Sequence, residues 1–411
     1  MRVGKNNQFH LTYCTNIHPG ETWEEVFQQL KKHIPPLKTR LSPQEDFGIG
    51  LRLADIAAKE LLEADHLSQF QSWLSQNHLY VFTLNGFPFG GFHDQIVKEQ
   101  VYAPDWSKRS RLAYTLRLIE ILAALLPEGI EGSISTLPLS YKPWWSKYKS
   151  SSETILKESS FNLAFLTSEM VEIRNKTGKL IHVSLEPEPD GLIENTAELI
   201  YFFQNWLLPI GGEYLALRLK ISQSNAETLL KNHIRLCYDT CHFAVEYEQP
   251  DLVIKHCQEA GIKLGKIQLS TAIQVQLNSE KREKIKERLY PFAESTYLHQ
   301  VIERWEDGTL HHYHDLSAAL PQLEQSQAQE WRIHFHVPLF IRNYQLLQST
   351  QEDLSTVLSL LKDNPICDHL EIETYTWDVL PPEMKLDLLT SIEREYQWVI
   401  NNEQWTMDNG Q

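Results

Sequence analysis

The sequence has few of the features that mark secreted or membrane proteins. Only five cysteines occur in 411 residues, an odd number at irregular spacing, so a disulfide framework is not expected and a reducing, cytoplasmic setting is indicated. The longest apolar runs, such as 119–126, fall far short of the roughly 20 residues needed to cross a bilayer. The first eight residues contain no apolar segment either. No targeting segment and no insertion into a membrane is therefore predicted.

Basic residues are also scarce. The chain has 38 Lys and Arg against 54 Asp and Glu, a formal net charge of −16. Sequence-independent binding of DNA or RNA depends on Lys and Arg that neutralise phosphates, so no nucleic-acid partner is expected. The mixed-charge run 280–288 has helical spacing and predicts a solvated helix face. The expected partner is a small-molecule substrate.

A glycine-rich dinucleotide fingerprint is missing after the first apolar segment, which argues against an open doubly wound sheet. The chain contains instead eight short strand-like segments that alternate with longer amphipathic ones. Eight such units predict an α/β fold, a (β/α)8 TIM barrel with parallel strands. The predicted strands are 9–14, 47–53, 79–84, 132–137, 180–185, the segment that ends at Asp239, 266–269 and 370–373.

One long stretch interrupts this alternation between the seventh and eighth strands. Residues 271–330 carry a helix of their own, a turn at Asp307-Gly308 and the histidines His311, His312 and His314. The stretch is predicted to be an insertion that acts as a lid, with the three histidines exposed in a loop. Residues 1–400 are expected to form a single barrel domain, and 401–411 a polar tail without function.

Chemistry in a parallel barrel is carried by residues at the carboxyl ends of the strands. Four groups occur there: Glu186, Asp239 with His242, His334 with His336, and Glu373. Glu186 emerges directly from its strand, whereas Glu188 and Asp190 are expected further out, between prolines. Each residue taken alone is as well explained by a salt bridge or a helix cap. Converging carboxylates repel each other, and a divalent cation with mixed oxygen and nitrogen ligands relieves this; Zn or Mn is favoured, and Mg or Co also fits.

The order of these groups resembles the xylose isomerase-like and apurinic-endonuclease-like barrel superfamily, through Leu185-Glu186, Asp239-Thr240-Cys241-His242, His334-x-His336 and Ile372-Glu373. The resemblance implies that Glu186, Asp239, Gln268 and Glu373 bind the metal. Gln268 stands where the superfamily usually has His, so His336 or His334 is the alternative third ligand. His242 is implied to contact a second metal or the substrate.

A closer resemblance, to the EboE family of ebo-cluster metabolite-traffic proteins, covers nearly the whole chain. It is carried by four strings, 13–20, 84–90, 102–106 and 133–138. That family is a sugar phosphate isomerase/epimerase-like barrel family encoded beside a prenyltransferase and other enzymes, and it is implicated in moving or processing a secondary-metabolite precursor. The resemblance implies pathway partners from the same cluster.

The loop from Asn85 to His93 has three Phe, three Gly and one Pro. It either packs the barrel rim or lines a pocket for an apolar or aromatic substrate. The candidate substrate-binding residues are His242, His334, Asn85 and His93.

Three functions are consistent with these residues. The first is a metal-dependent sugar (phosphate) isomerase or epimerase in which Glu186 and Glu373 are the catalytic base and acid. The second is a metal-dependent phosphoester hydrolase of the endonuclease-like branch, which needs two or three ions. The third is a metabolite-binding or carrier protein without turnover, which the exchange of His for Gln268 favours.

Overall fold

The computed structural model describes residues 1–92, 96–145, 149–277, 281–377 and 380–402. Its main sheet contains eight parallel strands, and each coincides with a strand predicted from the sequence to within a residue or two. They are β1 (Phe9–Tyr13), β2 (Phe47–Arg52), β3 (Leu79–Asn85), β4 (Gly132–Thr136), β5 (Ile181–Leu185), β6 (Ile234–Asp239), β7 (Leu264–Leu269) and β8 (His369–Ile372).

The eight strands close into a ring. β1 pairs with β8, and the order then runs back through β7, β6, β5, β4 and β3 to β2, with a short antiparallel strand, Arg2–Val3, outside β1. Between β1 and β2 the ring is closed by a parallel bridge between Cys14 and Gly50. The Thr12 hydroxyl reinforces it, donating to the Gly48 carbonyl at 3.0 Å and accepting from the Gly50 amide at 2.8 Å. The prediction of a (β/α)8 barrel is confirmed.

Helices cover the outside of the barrel. The first begins after Thr22, whose side chain accepts from the Glu25 amide at 3.3 Å while the Glu25 carboxylate accepts from the Thr22 amide at 3.0 Å, a capping box that fixes where the helix starts. The α-helices are Trp23–Leu41, Asp55–Leu61, His66–Gln76, Arg109–Leu125, Lys149–Thr177, Thr196–Phe202, Gly212–Leu219, Gln223–His233, Thr240–Val245, Pro250–Glu259, Arg282–Leu289, Leu316–Ala319, Gln351–Asp363 and Leu388–Asn401, and a π-helix, Phe203–Gly211, joins the sixth to the seventh.

The insertion between β7 and β8 forms a second sheet. Its six strands are all antiparallel to their neighbours, with Glu330–Ile333 paired between Val301–Arg304 and Ile273–Gln276. The remaining strands are Leu310–Tyr313, Asn343–Tyr344 and Leu347–Ser349. The three predicted loop histidines lie on or beside an outer strand and are exposed. The strand Glu330–Ile333 is directly followed by the segment that reaches the barrel mouth.

The cysteines and the helices bear on the expectations about disulfides and membrane insertion. All five cysteines are buried and none forms a disulfide. Within the ranges that the structure describes, no helix is both long enough and apolar enough to cross a membrane.

The barrel interior contains a buried ion pair. Lys266 on β7 and Glu371 on β8 are fully buried, and the ammonium nitrogen lies 2.5 Å from Oε2 of the carboxylate. Burial alone would lower the pKa of Lys266, but the adjacent Glu371 carboxylate more than offsets this and holds the pKa above its usual value. A Cβ at Gly50 would lie 1.8 Å from Oε1 of Glu371. Gly50 therefore leaves the space that the carboxylate occupies.

Histidines fill the amino-terminal end of the barrel. The ring of His369 lies 5.8 Å from that of His10 and 6.0 Å from that of His182, centroid to centroid. All three are buried. Burial, followed by neighbouring positive groups, lowers the pKa of His10 to about 2 and that of His369 to about 3. These imidazoles are neutral in the folded protein.

The buried neutral histidines predict that the folded protein loses stability in acid. Because the folded-state pKa of His369 lies below its unfolded value near 6.5, their stabilising effect is complete above pH 6.5 and is lost as the pH falls towards 3. Each such histidine steepens the loss by up to about 1.4 kcal/mol per pH unit. Replacing His369 by Gln, which can keep the hydrogen bond to the Ser133 hydroxyl, is expected to make the loss between pH 6 and 4 shallower. Urea unfolding across this range measures it.

The matched control is His256→Gln on the exposed face of the helix Pro250–Glu259. It should leave the pH dependence unchanged. An H369Q variant whose stability falls as steeply as that of the unchanged protein would contradict the assignment of a buried neutral His369.

Candidate metal centre

Three carboxylates meet at the carboxyl ends of the barrel strands. Glu186 follows β5, Asp239 is the last residue of β6 and Glu373 follows β8. One oxygen of each lies within 4.8 Å of the other two, and all three residues are buried. Parallel strands end at the same rim of a barrel, which brings together acids that are far apart in the sequence.

Asp239 is held by three hydrogen bonds to one of its oxygens. Its Oδ1 accepts from the backbone amides of Cys241 at 2.8 Å and His242 at 3.1 Å and from the Ser270 hydroxyl at 2.6 Å. The same contacts cap the helix Thr240–Val245. Oδ2 is buried and has no hydrogen-bond partner among the described residues. Asp239 is thus both a helix cap and an acid with one oxygen left for a ligand.

Glu373 is oriented by two side-chain amides. Nδ2 of Asn16 and Nδ2 of Asn85 donate to its Oε1 at 2.9 and 2.8 Å. Asn85, predicted as a substrate contact, also lines the cavity at this mouth. Asn16 was missed, because an amide in the loop after β1 has no local signal that links it to β8. Oε2 of Glu186, across the mouth, is buried without a partner in the part of the chain described here.

Gln268 occupies the corresponding position on β7. It pairs in register with Asp239 on β6 and Glu371 on β8 and is completely buried. Neither its Oε1 nor its Nε2 has a hydrogen-bond partner within the described ranges. A buried amide left unpaired costs about 1–3 kcal/mol, so the position of this side chain suits it to bind a group at the mouth.

His334 and His336 reach the mouth from the insertion. Strand alternation over 332–338 would place both imidazoles on one face, but the strand ends at Ile333. The segment that follows the strand therefore places the two rings, which lie 5.5 Å apart at the cavity. His336 Nδ1 lies 2.6 Å from the Glu373 carbonyl oxygen, and His334 Nδ1 lies 2.8 Å from Oε1 of Gln300. Both Nε2 atoms are buried without a described partner. A fixed Nδ1 and an open Nε2 are typical of metal-binding imidazoles.

His242 lies between the carboxylates and the insertion. Its Nδ1 is 3.8 Å from Oε1 of Glu186, and its Nε2 is 3.8 Å from Oε2 of Glu188 and 3.9 Å from Oδ2 of Asp239. Glu188, His242 and His334 form a second group whose ligand atoms lie within 4.8 Å of one another. The mouth therefore holds a carboxylate group and a histidine-rich group side by side.

Glu188 was expected further out than Glu186, and it also belongs to the mouth. The residue is buried and lines the cavity. The chain turns back at Asp190, whose φ is 64°, and the Gly191 amide donates to the Glu188 carbonyl at 3.0 Å. The Tyr102 hydroxyl donates to the Pro189 carbonyl at 3.4 Å. Tyr102 comes from a distant loop, so no local pattern indicates this turn.

Buried acidic groups dominate the electrostatics of the mouth. Burial, reinforced by the neighbouring carboxylates, raises the pKa of Glu186 and of Glu373 well above the usual range. Burial also lowers the pKa of His242 and of His334. A divalent cation would restore the ionised carboxylates and bind neutral imidazoles, since ligands must be deprotonated to coordinate.

The donor set fits a divalent metal ion. Asp239 and Glu186 have unpartnered oxygens, Gln268 has an unpartnered amide, and His336 has an unpartnered Nε2, all buried within the described ranges. Mixed oxygen and imidazole donors suit Zn or Mn, and also Mg or Co. Burial raises the pKa of the Cys241 thiol, and its side chain packs against Val245, Ala272 and Ile302. Cys241 is therefore better explained as a packing residue than as a thiolate ligand.

A cavity opens directly above these groups. The space that the centre of a water molecule can reach is ≈ 70 Å³, room for about five to seven waters at roughly 10–15 Å³ each. The polar residues that line it include Asn85, His242, His334, His336, Glu186 and Glu373. Asp239 and Gln268 are not among its lining residues. His93, the remaining candidate for substrate binding, lies outside the described residues.

The fold and the site together define a (β/α)8-barrel protein with a carboxylate and histidine mouth that suits a divalent ion. No family model and no curated protein matches the chain. Solved structures do. A probable 3-DHS dehydratase, AsbF, from Bacillus anthracis has 10% identity and a TM-score of 0.43, covering 95% of this chain and 99% of its own. The IolI protein with a binding zinc atom has 13% identity and a TM-score of 0.46, covering 95% and 98%.

A D-psicose 3-epimerase in the presence of D-fructose has 16% identity and a TM-score of 0.38, over 63% of this chain and 72% of its own. Because all three TM-scores are below 0.5, none of these likenesses bears on what this chain binds or catalyses.

Proposed function

We propose that the protein is a metal-dependent isomerase or epimerase acting on a small hydroxylated metabolite. The observation that carries the proposal is the buried group of Glu186, Asp239 and Glu373, whose oxygens lie within 4.8 Å of one another. Gln268 on the neighbouring strand β7 is the seventh-strand ligand, with His336 as its alternative. Zn or Mn is the favoured ion.

Glu186, Glu373 and His242 each have a part in the proposed reaction. The bound ion would supply electrophilic activation of a substrate carbonyl. Glu186, with its free Oε2, accepts the proton from the carbon beside that carbonyl. Glu373, held by Asn16 and Asn85, returns a proton from the opposite face. His242, within 4 Å of three carboxylates, is placed to bind a substrate hydroxyl. Carboxylates on two sides of one carbon suit proton transfer.

Metal analysis of protein purified without chelators tests this. About one equivalent of divalent ion per chain is expected, together with deuterium exchange into the carbon beside a bound carbonyl, followed by NMR in D₂O. A protein that retains no divalent ion under these conditions would sink the proposal.

A phosphoester hydrolase is the second candidate, and one observation favours it. The histidine-rich group of Glu188, His242 and His334 lies beside the carboxylates and provides ligands for a second ion, as hydrolysis with two ions about 4 Å apart requires. Two equivalents of tightly held ion, with hydrolysis of a model phosphodiester, would favour this reaction. A carrier without turnover is the third candidate. Metal-loaded protein that shows no deuterium exchange into a bound carbonyl compound would favour it.

We also propose a place among the ebo-cluster metabolite-traffic proteins, in a reducing cytoplasm and with partners from that cluster. Two of the strings that carry the resemblance border the site: 13–20 contains Asn16, and 84–90 contains Asn85, Phe87 and Pro88 of the cavity wall. Reading the genes beside the one that encodes this chain tests the proposal. A neighbourhood without a prenyltransferase would contradict it.

A further inference from the structure

The cavity above the metal centre is lined by two chemically different groups of residues. The polar group consists of the carboxylates, histidines and amides at the strand ends. An apolar group also lines the cavity, and its main residues are Phe87, Phe92, Val101, Tyr297 and Tyr375. A ligand in the cavity therefore meets both metal-binding groups and hydrocarbon.

Three aromatic rings form the apolar wall. Phe92, Tyr297 and Tyr375 come from the loop after β3, from the insertion and from the segment after β8. Their centroids lie 5.1–5.4 Å apart in pairs. The Tyr297 hydroxyl donates to the Phe92 carbonyl at 3.2 Å. This hydroxyl is used within the protein, and the wall offers ring surface for an apolar or aromatic substituent.

The described part of the cavity wall offers no free cation to an anionic ligand. Among the described residues that line it, Lys98 is the only Lys or Arg. Its ammonium lies 2.8 Å from Oδ2 of Asp315 and donates to the Tyr297 carbonyl at 3.4 Å. Recognition of a phosphate relies on Arg, Lys or clustered backbone amides. Lys98 is already neutralised by Asp315.

The charge of the mouth points the same way. Glu186, Glu188 and Glu373 line the cavity, and Asp239 lies against them. The mouth therefore places four acidic side chains around one candidate ion site. A phosphate or a second carboxylate on the ligand would bring further negative charge and further acceptor oxygens into a buried, weakly screened site.

We infer that the substrate is an uncharged hydroxycarbonyl compound with an apolar or aromatic substituent, and that phosphorylated sugars are excluded. This inference rests on the proposed function, because the metal centre binds the hydroxycarbonyl end. The aromatic wall selects for the apolar substituent, and the Lys98–Asp315 pair leaves no cation to bind a phosphate.

Three probes with one shared head test it on the full, manganese-loaded chain. Dihydroxyacetone, dihydroxyacetone phosphate and 2-hydroxyacetophenone all carry a hydroxymethyl ketone and differ only in the other substituent. Isothermal titration at pH 7.5 should show 2-hydroxyacetophenone binding about tenfold more tightly than dihydroxyacetone, since a phenyl ring is buried. The phosphate should bind at least about tenfold more weakly.

Two variants test the residues that select. Asp315→Asn releases the Lys98 ammonium and keeps an oxygen to accept from the Ser317 amide, which Asp315 now does at 2.9 Å. It should improve binding of the phosphate probe alone. Tyr297→Ala should remove most of the preference for the phenyl probe. Tyr290→Ala, an exposed tyrosine of the insertion at 72% exposure, is the matched control and should change nothing.

The outcomes separate this inference from the proposed function. A metal-loaded protein that binds the phosphate as tightly as dihydroxyacetone, or the phenyl probe no better, overturns the inference and leaves the metal-dependent function standing. Failure of all three probes to bind metal-loaded protein also overturns it. A chain that retains no metal refutes the proposed function, and the inference with it.

Discussion

Replacing Asp239 by Asn is expected to remove the divalent ion from the purified protein. The variant loses the negative charge and the free Oδ2 beside Glu186 and Glu373, while the remaining carbonyl oxygen can still accept from the Cys241 and His242 amides. The loss of affinity should exceed the roughly 10–100-fold that follows removal of a residue that only orients a ligand. Metal content and a titration with manganese measure it.

For the same variant, the expected effect on stability differs between metal-free and metal-loaded protein. Without metal, D239N should unfold at the same temperature as the unchanged protein or higher, because one repelling carboxylate has gone. With metal, only the unchanged protein should gain stability, since only it binds the ion in the folded state. Asp46→Asn, at a side chain that is 71% exposed, is the control and should behave like the parent. A D239N protein that keeps its full metal content would contradict the assigned centre.

Replacing Lys266 by Met is expected to cost about 3–5 kcal/mol of unfolding free energy, because the change leaves the Glu371 carboxylate buried without its partner. Neither side chain of this pair is exposed, and the two charged atoms lie 2.5 Å apart. Urea unfolding at pH 7.5 in the presence of a chelator measures the loss without a contribution from metal binding.

A double variant separates the charge from the packing. Lys266→Met with Glu371→Leu removes both charges and should recover most of the lost stability. The attraction between two buried charges offsets little more than the free energy needed to remove them from water. Lys255→Met removes one partner of an exposed pair with Glu259, whose side chains are 64% and 62% exposed; it should cost at most about 0.5 kcal/mol. An equally small loss in K266M would show that Glu371 has another partner.

The strands of the barrel could be predicted because their signal is local. Each of the eight is a short apolar run bounded by turn residues, and each is found where predicted. The apolar periodicity of residues 54–76 predicts one helix, whereas the structure has two, Asp55–Leu61 and His66–Gln76. The break between them lies at Ala64, whose φ is 50°. Continuous apolar periodicity does not report such a break.

The candidate site could be predicted only where a ligand follows its own strand. Glu186, Asp239 and Glu373 sit at the ends of β5, β6 and β8, so the fold alone brings them together. Glu188 enters the mouth through a turn fixed by distant contacts. Asn16 reaches Glu373 only because β1 and β8 are neighbours in the ring.

The sequence by itself determined the eight strands and which acids stand at the barrel rim, because strand period and strand end are properties of neighbouring residues. Only the tertiary structure decided what surrounds those acids. His334 and His336 arrive from the second sheet, and the aromatic wall joins Phe92, Tyr297 and Tyr375 from three separate segments. Asp315 likewise neutralises the Lys98 ammonium at the cavity through a contact between residues 217 positions apart. Such contacts depend on how loops and sheets pack, which no local pattern of residues records.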